Sequence, residues 1–134
     1  MKLKGLLTTA AVLATLLAMP GGVSALRSLL NALEVDVETC SDPIQAVTMF
    51  SAGEYDLVIS DERMPKMSGL EMLGKVRAGS PRTPTILLTA YRNQDAFRRA
   101  YERTGVFRFV TKPWNAIDLI ATIREALRAR ETLD

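Results

Sequence analysis

Hydrophobic and polar positions along this chain alternate between two periods. In residues 24–33, Leu26, Leu29, Leu30 and Leu33 recur at spacings of three and four, the stripe of an amphipathic helix. Residues 35–40, Val-Asp-Val-Glu-Thr-Cys, switch to period two and predict a strand. Asp42-Pro43 supplies a helix N-cap followed by a first-turn proline, and Gly53 ends the helix so opened. Residues 55–60 form a short apolar strand centred on Leu57-Val58-Ile59 that runs into Asp61. Residues 68–76 are helical again, with Leu70, Leu73 and Val76 on one side and Gly79 as the stop.

The second half repeats the alternation. Residues 85–89, Thr-Ile-Leu-Leu-Thr, read as a buried strand, and residues 93–103 as a helix with Phe97, Ala100 and Tyr101 inward, closed by Gly105. Residues 106–111 are β-rich; Asn115 with Asp118 then opens a last helix carrying Leu119, Ile120, Ile123 and Leu127. Strands alternating with helices of this length predict βαβ units, hence a parallel sheet covered on both faces by right-handed crossovers. In such a sheet ligands bind outside the carboxyl ends of the strands. Asp61, Thr89 and Lys112 each follow an apolar strand run, so a carboxylate, a hydroxyl and an ammonium are expected along one rim.

The chain of 134 residues is 48% hydrophobic and 24% charged, which fits one globular domain and excludes collagen-like, disordered and disulfide-scaffold chains. Histidine is absent and Cys40 is the one cysteine, so Cys/His zinc sites and histidine acid–base catalysis are excluded. Seventeen Lys and Arg against fifteen Asp and Glu leave a net charge of +2, too balanced to point to nucleic acid. That charge is unevenly placed, with no acid before Glu34.

Three segments carry a resemblance. Residues 59–69, Ile-Ser-Asp-Glu-Arg-Met-Pro-Lys-Met-Ser-Gly, hold an aspartate with a proline four positions on and a glycine eight on. Residues 87–91 read Leu-Leu-Thr-Ala-Tyr, and residues 107–114 read Phe-Arg-Phe-Val-Thr-Lys-Pro-Trp. Together, in this order and spacing, they resemble the receiver domain of bacterial response regulators, the CheY-like domain, over about residues 23–130. The wording of residues 108–114 is similar to receivers joined to transcription-activator or cyclic-dinucleotide phosphodiesterase outputs.

The resemblance implies an α/β, flavodoxin-like, doubly wound five-stranded parallel sheet of order 2-1-3-4-5 with five helices. It implies a two-component phosphorelay receiver whose phosphoacceptor is Asp61, assisted by Thr89 and Lys112. Phe109 falls at the aromatic switch position, and Pro65, Gly69, Ala90 and Pro113 support the loops. The expected partners are a sensor histidine kinase or phosphotransfer protein, and an output protein met through the fourth helix and fifth strand. Neither direct nucleic-acid binding nor membrane attachment is expected. Such a domain is not an enzyme beyond self-catalysed phosphotransfer to Asp61.

One part of the family pattern is missing. Receivers carry an acid pair at the end of the first strand that helps to hold Mg²⁺; sliding back without gaps, those positions are Leu17 and Ala18. Neither offers oxygen to a hard cation. Asp61 and the Arg63 carbonyl remain as the implied ligands, so very weak or absent Mg²⁺ binding and degenerate phosphotransfer are expected. Two alternatives follow. One is a phosphorylation-independent pseudo-receiver that docks proteins. The other is an aspartate-nucleophile phosphohydrolase, whose second acid would have to stand at Arg63.

The N-terminus poses its own question. Lys2 and Lys4, an uncharged run from Gly5 to Met19 and the small residues Val23-Ser24-Ala25 have the layout of a secretion signal. Cleavage after Ala25 would export a remnant lacking the first strand of the sheet. The expectation is therefore a cytoplasmic single domain over 1–134, with residues around Leu13–Leu17 as the atypical first strand within 1–22. Because the sequence ends a few residues past the last helix, the output is expected on another protein.

Overall fold

A computed structural model of the protein describes residues 11–15, 22–64, 66–89, 102–111 and 114–132. Five strands, β1 (Ala11–Thr15), β2 (Asp36–Cys40), β3 (Leu57–Asp61), β4 (Thr85–Thr89) and β5 (Arg108–Thr111), pair in parallel in the order 2-1-3-4-5. Helices α1 (Gly22–Ala32), α2 (Pro43–Ala52), α3 (Gly69–Gly79) and α5 (Ala116–Thr132) intervene; α4 is described over 102–104. This is the expected flavodoxin-like architecture.

Two cores sandwich the sheet. On one face Leu26 and Leu30 of α1 and Leu119, Ile123 and Ala126 of α5 pack on Val12, Ala14, Leu57, Ile59, Ile86 and Leu88. On the other, Ala46 of α2 and Met72, Leu73 and Val76 of α3 pack on Leu13, Val58 and Leu87. Every residue of β3 and β4 is buried, as strands covered on both faces must be.

Residues 11–15 of the apolar N-terminal run build the middle of this sheet. β1 hydrogen-bonds to β2 on one side (Leu13 opposite Glu38) and to β3 on the other (Leu13 opposite Val58). β1 takes in residues 13–15 of the expected strand and begins at Ala11; residues 16 and 17 lie outside the described residues. Alanine and leucine favour helix when isolated; here burial between two strands overrides that preference. Among the described residues no helix is long and apolar enough to cross a membrane.

Three helix boundaries refine the sequence reading. α1 begins at Gly22, two residues earlier than the leucine stripe suggests. It closes through Leu33 N–H to Leu30 carbonyl and Glu34 N–H to Asn31 carbonyl, with Glu34 in the left-handed region at φ 59°. Gly79 does not stop α3 but is its last helical residue, followed by the C-cap Ser80. The expected caps form at α2, where Asp42 accepts from Ile44 N–H, and at α5, where Asn115 Oδ1 accepts from Ile117 and Asp118 N–H. Phe97, Ala100 and Tyr101 lie outside the described residues.

Candidate functional site

Asp61 is the last residue of β3 and is 4% exposed; Thr89 is the last of β4 and is 1% exposed. In register Asp61 stands opposite Leu88, so the two residues are one step apart on adjacent strands at the carboxyl end of the sheet. Strand alternation puts Asp61 on the face of Leu57 and Ile59, and Thr89 on the face of Leu87. Any meeting of the two is therefore over the strand ends rather than across one face. Thr111 pairs with Thr89 and ends β5, which brings the chain to the same rim immediately before Lys112. Lys112, Pro113, Pro65, Ala90, Leu17 and Ala18 lie outside the described residues.

The backbone at Asp61 is held tightly. Ser60 Oγ donates to the Asp61 carbonyl at 2.8 Å, and Glu62 N–H donates to Leu88 carbonyl at 3.0 Å, which extends the β3–β4 ladder past the aspartate. Gly69 N–H donates to the Glu62 carbonyl at 2.8 Å. A Cβ on Gly69 would stand 1.9 Å from the Asp61 carbonyl oxygen and 2.8 Å from its carbon. Glycine at position 69 is thus what lets the start of α3 rest against the end of β3.

Glu62, which the sequence reading passed over, is tied to the same junction. Its Oε1 accepts from Leu70 N–H at 3.0 Å, in the first turn of α3. Burial pushes its carboxyl pKa above the ordinary value, outweighing the Leu70 hydrogen bond. Ser68 and Glu71 add a reciprocal capping box at the same helix start. The spacing Ser68-Gly-Leu-Glu71 is the signal from which it could have been read.

The loop after Asp61 also reaches the opposite side of the rim. Lys66, at φ 74°, places Nζ 3.1 Å from Asp42 Oδ2, the N-cap of α2. That contact and the Ile44 N–H hold the Asp42 carboxyl below its usual value. Cys40 Sγ donates to the Asp42 carbonyl at 3.2 Å, a strand-end thiol in a structural contact. Arg63 is exposed in the same loop. Phe109, in β5, is 40% exposed, whereas Trp114 packs on the α1–α5 core beside the last helix.

Among the described residues at this strand end, Asp61 is a buried carboxylate, Arg63 lies two residues on in the loop, and Glu62 is engaged with α3. Among the described residues no three His, Cys, Asp or Glu side chains gather into a metal-holding cluster.

Comparison with known proteins accounts for this geometry. The profile of the response regulator receiver domain matches residues 20–124, beginning just after β1. The regulatory protein LuxO of Vibrio cholerae is 33% identical over 107 residues, covering 80% of this chain; the chain spans only 23% of LuxO. Among solved structures, the receiver domain of an HD domain-containing protein from Pseudomonas fluorescens Pf-5 superposes with a TM-score of 0.84. It is 27% identical and covers 92% of this chain and 98% of its own. The receiver domain of sensor histidine kinase PA1611 from Pseudomonas aeruginosa, solved with magnesium in its active site cleft, shares the fold with a TM-score of 0.78. It is 24% identical and covers 90% of this chain and 98% of its own. The chain belongs to the response regulator receiver domain family, the CheY-like modules of two-component signalling.

Proposed function

We propose that this protein is a receiver in which Asp61 is the phosphoryl acceptor but Mg²⁺-dependent phosphotransfer is weak or lost. One observation carries the reading: a buried aspartate closes β3 at the ligand-binding end of the sheet, while the chain has no acid before Glu34. In the transfer, an Asp61 carboxylate oxygen attacks the phosphorus of a phosphohistidine. The P–N bond breaks, its electron pair leaves with the imidazole, and an acylphosphate forms. Such transfers rely on positioning and charge neutralisation more than on covalent help. Here neutralisation falls to Lys112, with Arg63 nearby in the loop, and Thr89 contributes a hydroxyl. Phe109 would pass the change to the surface around α4 and β5, where an output protein binds.

The lost acid pair favours a second reading, a docking module that never uses the acylphosphate. In both readings the protein acts as a single domain in the cytoplasm; that placement is supported by β1, which uses part of the apolar run inside the sheet. Acetyl phosphate, with and without Mg²⁺, followed by intact mass measurement, tests the proposal. Slow, incomplete acylphosphate on Asp61, absent from Asp61→Asn and little changed by Mg²⁺, is expected. Rapid stoichiometric phosphorylation that requires Mg²⁺ would overturn it. No acylphosphate at all, from acetyl phosphate or a phosphohistidine donor, would transfer the assignment to the docking module.

A further inference from the structure

An open cleft begins at the first turn of α3, at Ser68 and Leu70. It runs along the outer side of α3 to the end of α4, encloses about 620 Å³, and is lined by Leu70, Gly74, Arg77, Pro81, Arg103 and Thr104, among others. Its shape has identifiable causes. Gly74 has no side chain to fill the floor, and a Cβ there would touch Thr104 at 3.6 Å. At its far end Gly105, at φ 77°, leaves room for the Arg77 side chain, whose Nε would stand 2.3 Å from a Cβ at that position. Arg77 Nη1 donates to the Pro81 carbonyl at 3.2 Å, which fixes the guanidinium and leaves further N–H groups for a ligand.

The charge in this cleft is polarised. Glu71 is its one acidic lining residue, and its Oε1 accepts from Ser68 N–H in the capping box. Arg77 and Arg103 line it further along, Arg77 being seven residues of helix, about 10 Å, from Leu70. Beside them lie aliphatic surfaces of Leu70, Ala78 and Pro81, and among the described lining residues there is no aromatic ring on which a base could stack. Forked arginines beside an aliphatic floor suit carboxylates on a polypeptide.

We infer that this α3–α4 cleft docks an acidic polypeptide segment of a partner protein, with its carboxylates on Arg77 and Arg103 and an aliphatic residue over Gly74. The site is separate from the phosphoacceptor reading and does not depend on it.

The test is fluorescence anisotropy with a labelled octapeptide alternating Glu and Leu, its Gln-for-Glu counterpart and a thymidine octanucleotide. Saturable binding of the Glu peptide, at least tenfold tighter than the other two, is expected. The double variant Arg77→Gln/Arg103→Gln should lose about tenfold in affinity, as two partly exposed ion pairs would. The charge-matched Arg124→Gln/Arg128→Gln on α5 should bind as the parent does. Amide NMR shifts on peptide addition should centre on Gly74 and Thr104. Ala78→Asp, which leaves both arginines in place, should also weaken binding if the double variant proves unstable. Equal losses in both double variants, an oligonucleotide bound as tightly as the peptide, shifts centred elsewhere, or no saturable binding would each overturn the inference.

Discussion

At the scale of single residues, Glu62 shows how a group beside the buried Asp61 serves the scaffold. Its pKa is raised in the folded state, chiefly by burial. A carboxyl with a raised folded pKa contributes most favourably below its unfolded value, near 4.5, and that contribution is lost as pH rises through the folded value. At neutral pH the charged form is therefore a net liability. Glu62→Gln keeps an oxygen for the Leu70 N–H and removes the charge. It should stabilise the protein at pH 7 by about 0.5 kcal/mol, after allowance for partial exposure. The gain should fade below pH 4.5 in urea titrations across pH. None of this is visible in the sequence, where Glu62 is simply the acid after the aspartate. The left-handed Glu34 is equally silent, since a glycine is what ordinarily announces that turn.

At the scale of elements, the junction of β3 with α3 is the part of the site that depends most on close packing. Gly69→Ala would drive a methyl into the Asp61 carbonyl, and neither backbone can yield without moving the other. Overpacking of this kind typically costs about 1–3 kcal/mol. A destabilisation in that range by thermal or urea unfolding is expected, together with displaced amide resonances at Asp61 and Glu62. Strands β3 and β4 were legible from their continuous apolar runs because they are covered on both faces. The α2 and α5 caps were legible from Asp42-Pro43 and from Asn115 for the same local reason: the signal and the structure lie within four residues. Gly69 was legible as a motif position, but its cause, a contact between the start of α3 and the end of β3, is a property of three dimensions. The α3–α4 cleft was illegible because it joins residues 70–81 to 103–104, and nothing in either segment marks the other.

Across the whole molecule, the central strand was the hardest element to read. β1 resembles a secretion signal by composition, and only the demand of β2 and β3 for a common neighbour makes it a strand. Leu13 is fully buried between both flanking strands and packs on the α2–α3 core. Leu13→Ala should therefore cost about 2–5 kcal/mol, at the level of a core deletion, in equilibrium unfolding. A change of a few tenths of a kcal/mol would mean that the segment does not hold the place assigned to it. The same experiment separates a sheet strand from a dispensable leader, for which alanine would be nearly neutral.

A strand order of 2-1-3 also has a consequence for synthesis. β1 is made before either partner; its β2 edge can be covered once Cys40 has been made, but its β3 edge stays open until the chain has been made through Asp61. For that interval the nascent chain displays one sticky, uncharged edge, an invitation to chaperones or to neighbouring chains. A strand at the centre of the finished sheet is thus the one with the longest wait for its second neighbour.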